Sequence, residues 1–304
     1  MKKAIVSGSN GLVGQEVVRH LLQNNISVVA LGRRSIEQSP LCNLAENSLF
    51  EYLTIENEYI DDLQGMLEQI GWNVGNDCVF YNFSWEGQNS LTDGSFESQL
   101  KNIEISTAMV AVASSIGCIK YISVGSQEEI YMERFLRDEW QKTPYHSPQD
   151  KYAVAKICCR DQTQLAAYLH QISFIHTRFS AVVSPDLKGS GYIHSTLRKI
   201  KAGDEFEEPI NGNLYDFISI GELARAFYLV GQFGKNKSNY YIGSGRPMTL
   251  KNFFSRFTDY SSTKPTLLGS YSFLTDYDMS VLTKDTGFEP RQKFKDLVKE
   301  IMER

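Results

Sequence analysis

The chain has 304 residues, 42% of them hydrophobic and 22% charged, enough for one large domain or one with a smaller companion. Its formal net charge of −5 gives no support to nucleic-acid binding, because there is no overall basic excess to neutralise phosphates. No stretch approaches the roughly 20 apolar residues needed to cross a bilayer, Lys2-Lys3 precedes too short an apolar run for a signal peptide, and the five cysteines (Cys42, Cys78, Cys118, Cys158, Cys159) form no C-x-x-C pair, so the expectation is a cytoplasmic protein with reduced thiols and no metal site.

In chain order, Lys2–Ser7 reads as a buried strand and Gly8–Gly14 as a turn. From Gln15 onward, Val17, Val18, Leu21 and Leu22 recur with the period of an amphipathic helix. Ser27–Leu31 is a second strand, and Cys78–Phe83 and Ile119–Val124 are two more, separated by a helix over about Ser98 to Ile116. Tyr152–Leu169 reads as a long helix and Ser173–Phe179 as the strand after it. Strand and helix alternating with short joins predict an α/β fold, a doubly wound parallel sheet with helices on both faces. Its strands, covered on both sides, should be nearly all apolar, as Ala4-Ile5-Val6 and Val28-Val29-Ala30-Leu31 are. After about residue 180 the rhythm breaks into loops, with a basic helical piece at Leu197–Lys201 and helices at Gly221–Gly231 and Leu250–Phe257. The expected division is a dinucleotide-binding domain over 1–180, to which 213–235 returns, and a smaller irregular substrate-binding lobe over 181–304.

The first turn reads Gly8-Ser9-Asn10-Gly11-Leu12-Val13-Gly14, between a strand and a helix. Glycines there let the backbone approach a pyrophosphate, and the helix N-terminus offers unpaired N–H groups. Each charge–dipole contact of this kind is worth roughly 0.3–1 kcal/mol. The end of the second strand decides which dinucleotide is favoured. A carboxylate there would accept from the ribose 2′-hydroxyl of NAD; this chain has Arg33-Arg34 and no carboxylate before Glu37. Guanidiniums match phosphate bidentately, so the pair points to NADP(H).

Tyr152-Ala153-Val154-Ala155-Lys156 carries Y-x-x-x-K, which puts the ammonium and the phenol on one helical face. A cation about 4 Å away at an effective dielectric near 20 is worth about 4 kcal/mol, roughly three pKa units, which would bring a phenol into catalytic range. With 16 tyrosines one chance match is expected, so context has to carry the motif. Upstream, Tyr121-Ile122-Ser123-Val124 ends a strand in Gly125-Ser126, on the edge of the sheet where ligands gather. A hydroxyl there can hold a substrate oxygen while the tyrosine exchanges its proton. The strand leading into Phe83-Ser84-Trp85-Glu86 ends on the same edge and would wall a nicotinamide pocket.

With these motifs in this order, the sequence resembles the extended short-chain dehydrogenase/reductases, the nucleotide-sugar epimerase, dehydratase and reductase group with a Rossmann-type fold. The likeness extends to Arg178-Phe179, Ser184-Pro185 and Asn213-Leu214-Tyr215-Asp216-Phe217-Ile218. The resemblance implies that Ser126 orients a sugar oxygen, Tyr152 donates or accepts the proton, and Lys156 binds the nicotinamide ribose and tunes the phenol. It gives Gly8, Ser9, Asn10, Gly11, Leu12, Val13, Gly14, Arg33, Arg34, Phe83, Ser84, Trp85 and Lys156 as the cofactor site. Trp85, Ser126, Gln127, Glu128, Arg178 and Arg198 are the substrate-site candidates, with Lys188 a further possible pyrophosphate partner. A homodimer and a nucleotide-diphosphate sugar substrate are implied, with no nucleic-acid or membrane partner.

The departures sort activities within the group. Sugar 4,6-dehydratases carry an Asp-Glu pair after the serine or threonine, whereas Ser126 is followed by Gln127-Glu128. An amide supplies no such proton, which argues against water loss. Counting back from Ile130-Tyr131 gives Glu128-Glu129 instead, but then Gln127 replaces the hydroxyl. The Gly125-Ser126-Gln127 step looks more like that of 4-ketosugar reductases related to the CDP-abequose and CDP-paratose synthases. Tyr215 stands where many relatives have a phosphate-binding arginine, and Ala181 where many have a substrate-binding asparagine, which leaves the nucleotide base open. The leading expectation is an NADPH-dependent reductase of a nucleotide-linked 4-keto sugar. A 4-epimerase comes second, and a non-catalytic NADP-binding regulator third.

Overall fold

The computed structural model describes residues 1–87, 95–139, 150–207, 209, 214–258 and 274–304. Asn213, where the segment expected to return to the first domain begins, lies outside the described residues. The chain runs β1 (Lys3–Ser7), α1 (Leu12–Gln23), β2 (Ser27–Gly32), β3 (Phe50–Thr54), α2 (Leu63–Gln69), β4 (Cys78–Asn82), α3 (Phe96–Ser115) and β5 (Lys120–Val124). It continues through α4 (Glu128–Arg134), α5 (Asp150–Leu169), β6 (Ser173–Phe179), β7 (Ala181–Val183), α6 (Tyr192–Ala202), β8 (Leu214–Tyr215), β9 (Phe217–Ser219) and α7 (Ile220–Phe233). The remainder is β10 (Ser238–Ile242), β11 (Met248–Thr249), α8 (Leu250–Thr258), α9 (Ser280–Thr286) and α10 (Phe294–Glu303).

Among the described residues, seven parallel strands form the main sheet in the order β10-β6-β5-β4-β1-β2-β3. The strand order reverses between β1 and β4, and the crevice outside the strand ends at such a reversal is where α/β sheets hold ligands. Alternate residues of β1 serve opposite faces: Ala4 and Val6 enter the core under α1 and α7, and Ile5 enters the core under α3 and α5. Val17, Val18 and Leu21 of α1 meet Leu223, Phe227 and Val230 of α7 on the first side. Met109 and Val110 of α3 meet Phe80, Tyr121 and Ala167 on the other. Each buried Val, Leu, Ile, Phe or Met among these is worth about 1.5–3 kcal/mol over exposure. Lys120, buried in β5, donates its Nζ to the carbonyls of Gly231 and Gly234 at 2.9 Å, satisfying the open C-terminal end of α7.

The smaller lobe has a core of its own, in which Phe217 stacks on Phe253 at 3.8 Å between ring centroids, with Leu197, Leu297 and Ile301 around them. β7 pairs with β9 and β8 with β11 in two short ribbons. Not all of the later chain stays in this lobe: α7 and β10 join the main sheet layer, and Leu282 of α9 and Phe288 bury in its core. Several elements go beyond the sequence expectations, among them β3, β10 and α4. β3 and β10 are edge strands whose apolar residues are diluted by Glu51 and Thr54 in one and by Ser238 and Asn239 in the other. α4 is only seven residues, too short for periodicity to show. No helix among the described residues is long and apolar enough to cross a membrane.

Candidate active site

The glycine turn is shaped by close approach. Gly8 has φ +72°, and a Cβ there would lie 2.6 Å from the backbone carbon of Phe83 and the amide of Ser84. A Cβ on Gly14 would lie 2.3 Å from the Gly8 carbonyl oxygen. These two glycines therefore let α1 sit down on β1 and let the turn reach the end of β4. Gly11 is exposed at the N-cap of α1, where no side chain caps the helix and no acidic residue stands in the first turn. The helix thus keeps its N-terminal N–H groups and partial positive charge for an anion.

The rest of the turn is bolted to the neighbouring strands. Ser9 Oγ donates to the Leu31 carbonyl at 2.8 Å. Asn10 Nδ2 donates to the Tyr52 hydroxyl at 2.8 Å, Ser39 Oγ donates to Asn10 Oδ1 at 2.6 Å, and Tyr52 in turn donates to the Arg34 carbonyl at 2.8 Å. Val13 packs into the α1–α7 core. Arg33 and Arg34 are exposed at the end of β2, with Arg33 Nη1 3.9 Å from Glu86 Oε1, a carboxylate also bonded by Asn57 Nδ2 at 2.9 Å. The Phe83 ring turns away into the core against Phe227 at 4.8 Å, so this residue offers the turn backbone only. Ser84 donates its N–H and Oγ to Asn82 Oδ1 at 3.0 and 2.7 Å.

On the same sheet edge, Ser126, Tyr152 and Lys156 come together. Ser126 follows β5; its hydroxyl accepts from the Glu128 N–H at 3.2 Å and lies near enough to the Tyr152 phenol to pull that group's pKa down. Tyr152 and Lys156 are both buried on successive turns of α5, facing the sheet. The Lys156 Nζ donates to the Val124 carbonyl at 3.0 Å, lies 3.6 Å from the centroid of the Trp85 indole, and is 5.7 Å from that of Tyr152. Trp85 also meets Tyr152 edge-on at 5.8 Å and donates Nε1 to Gln99 at 3.1 Å.

The electrostatics differ from the simple expectation of an activated phenol. Burial raises the Tyr152 pKa above its usual value, with the Ser126 hydrogen bond pulling it down and Glu129 and Glu128 pushing it further up. Burial lowers the Lys156 pKa to about 8. The ammonium is drawn to a carbonyl and an indole face rather than to the phenolic oxygen, so Tyr152 stands as a protonated phenol.

Residues 4–243 match the model of the NAD dependent epimerase/dehydratase family. The chain belongs to that family. Among curated family relatives, the chain is 21% identical over 255 residues to CDP-abequose synthase of Salmonella muenchen, covering 83% of this chain and 78% of that protein. It is 26% identical over 263 residues to dTDP-6-deoxy-L-talose 4-dehydrogenase (NAD(+)) of Aggregatibacter actinomycetemcomitans, covering 83% and 88%. Among solved structures it is similar to UDP-glucose 4-epimerase of Thermotoga maritima, with a TM-score of 0.73 at 19% identity over 99% of this chain and 97% of that one. The family implies a nicotinamide dinucleotide, and the uncapped α1 terminus, the glycines without room for a Cβ and the exposed guanidiniums after β2 are an arrangement that fits one.

The remaining sequence-derived candidates of this family member are engaged by protein groups. Arg178 Nη1 donates to Glu133 Oε2 at 3.2 Å. Arg198 donates to the carbonyls of Leu187 and Gly189, bracing the loop before α6. Lys188 pairs with Asp186 at 2.9 Å on the surface. Gln127 is buried, its Nε2 donating to the Tyr131 hydroxyl at 2.7 Å and its Oε1 without a hydrogen-bond partner. Glu128 is half-buried at the start of α4. Among the described residues, no cluster of His, Cys, Asp and Glu could hold a metal ion.

Sequence reasoning missed the pair beneath the serine. Glu129 is wholly buried, with Oε1 accepting from the Ser126 N–H at 2.8 Å and Oε2 2.9 Å from His176 Nε2. A polar run, His176-Thr177-Arg178, in a strand that should be apolar on both faces was the available signal. Asn102 was missed as well; its Oδ1 accepts from the Glu86 N–H at 2.7 Å and holds the loop that carries Trp85.

Proposed function

We propose that the protein is an NADPH-dependent reductase of a nucleotide-diphosphate-linked 4-keto deoxysugar. The observation that carries this reading is the meeting, at one sheet edge, of the Ser126 hydroxyl, the buried and protonated Tyr152 phenol, and Lys156 on the next turn. A carbonyl oxygen that enters between the two hydroxyls can accept from both. When bound, a reduced nicotinamide supplies the hydride to the carbonyl carbon. As negative charge grows on the oxygen, Ser126 stabilises it and Tyr152 delivers its proton to it. Lys156, still largely protonated at neutral pH, favours departure of that proton and holds a ribose hydroxyl. Arg33 and Arg34 receive the 2′-phosphate, which is the reason for reading a net reduction rather than a hydride returned to the same sugar. Glu129 is bonded inward, and Gln127 has no proton to give, which argues against dehydration.

A second reading, 4-epimerisation with NAD, has one observation in its favour: Glu86 stands 3.9 Å from Arg33 and could accept from a ribose 2′-hydroxyl. The deciding experiment incubates the protein with NADPH and a panel of CDP-, dTDP-, UDP- and GDP-linked 4-keto sugars. Loss of NADPH absorbance in step with product supports the reductase. Turnover of a nucleotide sugar with no net absorbance change overturns it in favour of the epimerase. A cytoplasmic location, read from the sequence, and a homodimer, implied by the family resemblance, are part of the proposal.

A further inference from the structure

We propose that Glu129, locked in place by His176, is a positioning residue that sets the Ser126 hydroxyl beside Tyr152; this rests on the reading of Ser126 and Tyr152 as the acid–base pair. The step from β5 to α4 is held by three consecutive amides. The Gly125 N–H donates to the Thr177 carbonyl at 2.7 Å and the Gln127 N–H to the Phe179 carbonyl at 3.2 Å, so β6 anchors the residues on either side. The Ser126 N–H between them has no strand partner and is taken instead by Glu129 Oε1 at 2.8 Å. Without that carboxylate, the residue carrying the substrate-facing hydroxyl is the one link of the three left unanchored.

The carboxylate is itself fixed. Oε2 lies 2.9 Å from His176 Nε2 and 3.8 Å from Arg160 Nη1. A Cβ on Gly125 would fall 2.1 Å from Glu129 Oε1 and 2.4 Å from His176 Nε2, so the glycine of the Gly125-Ser126 step is what admits the pair. An ionised acceptor makes a hydrogen bond roughly twice as strong as a neutral one, which suits a single anchor. Burial alone would push the Glu129 pKa up, but His176, Arg178 and the Ser126 N–H together hold it below the usual carboxylate value.

The charges around it define what a titration would read. From β6 come His176 and Arg178, and from α4 itself Glu128 and Glu133, the latter paired with both Arg160 and Arg178. From α5 come Arg160, with its partner Asp161, and the buried Tyr152, Lys156 and Cys159. The Glu129 charge raises the pKa of both Tyr152 and Lys156, so it helps keep the proton on the phenol that donates it and the charge on the neighbouring ammonium.

The test uses the full chain with NADPH bound and needs no knowledge of the natural sugar for its first readout. In hydrogen exchange, Glu129→Ala speeds the Ser126 amide at least about tenfold while amides of β1 keep wild-type protection, and Glu129→Gln, which retains an acceptor oxygen, keeps Ser126 slow. With CDP-4-keto-6-deoxyglucose as probe, kcat of Glu129→Ala falls about tenfold or more while KM for NADPH stays within about threefold. The alkaline limb of kcat/KM, expected near pH 8 as Lys156 loses its proton, moves down by about half a unit in Glu129→Gln. Wild-type exchange at Ser126 in Glu129→Ala, equal acceleration in β1, or an unmoved limb overturns the proposal. Should Glu129→Ala fail to fold, His176→Gln replaces it: exchange at Ser126 about threefold faster supports the proposal, and no change overturns it. Tyr152→Phe and Ser126→Ala are the controls. Full activity in either sinks the acid–base reading, whereas inactive controls beside silent Glu129 variants sink this proposal alone.

Discussion

At the end of β1 the chain makes its site by leaving atoms out: Gly8 and Gly14 sit where any Cβ would strike backbone, and the α1 terminus is left bare. At the end of β5, on the same edge of the same sheet, it makes its site from polar side chains, with buried Glu129 and His176 and half-buried Arg160 and Glu133 packed beneath Ser126. The first arrangement depends on sterics and is indifferent to protonation. The second depends on charge and hydrogen bonds, tolerates changes that preserve shape, and answers to pH. One sheet edge therefore carries both a bare helix terminus suited to an anion and, after β5, a polar cluster suited to proton transfer.

The contrast can be broken or sharpened by substitution. The largest effect is expected for Tyr152→Phe, which keeps the ring against Trp85 and removes only the proton donor: kcat should fall by about 10²–10⁴-fold with NADPH affinity within about threefold. Retention of more than a tenth of wild-type kcat would remove the phenol from the mechanism. Next is Gly14→Ala, where the new methyl meets the Gly8 carbonyl. Overpacking of this kind costs about 1–3 kcal/mol and should weaken NADPH binding about tenfold or more. Calorimetry at pH 6 and pH 9 should give the same loss, and a pH-dependent one would blur the distinction between the two sites. The smallest effect is expected for Arg33→Ala, an exposed side chain shared with Glu86. NADPH affinity should drop by about five- to tenfold and NADH affinity should hold, since one charge-assisted contact to the 2′-phosphate is worth about 1 kcal/mol at the surface. Equal losses for both cofactors would place the 2′-phosphate elsewhere.

The glycine turn, Ser126 and the Tyr152–Lys156 pair were legible in the sequence because each is a short local pattern placed next to a recognisable strand or helix end. The strands β1, β2, β4, β5 and β6 were legible as short apolar runs between glycines and polar turns. The edge strands β3 and β10 were not, since exposed Glu51 and Thr54 in one, and Ser238 and exposed Asn239 in the other, shorten their apolar runs to loop-like composition. Nor was the Glu129–His176 contact. It joins residues far apart in the chain through the β5–β6 register, which sets Ser123 opposite His176, and no window of sequence contains it. Where the Lys156 ammonium comes to rest was not legible for a related reason. The i, i+4 spacing places Lys156 on the right face, but the Val124 carbonyl and the Trp85 indole, brought in by tertiary packing, claim its ammonium.

Trp85 carries a consequence of its own. Its indole lies against the Lys156 ammonium at 3.6 Å and edge-on to Tyr152, while Trp72 sits at the opposite end of the strands, bonded to Ser27. A cation on an indole face perturbs its excited state, so any molecule that draws the ammonium toward itself must change the light this tryptophan emits. In a Trp72→Phe, Trp140→Phe background, Trp85 emission is expected to change when a ligand reaches the candidate centre, so binding can be followed in solution with no label attached.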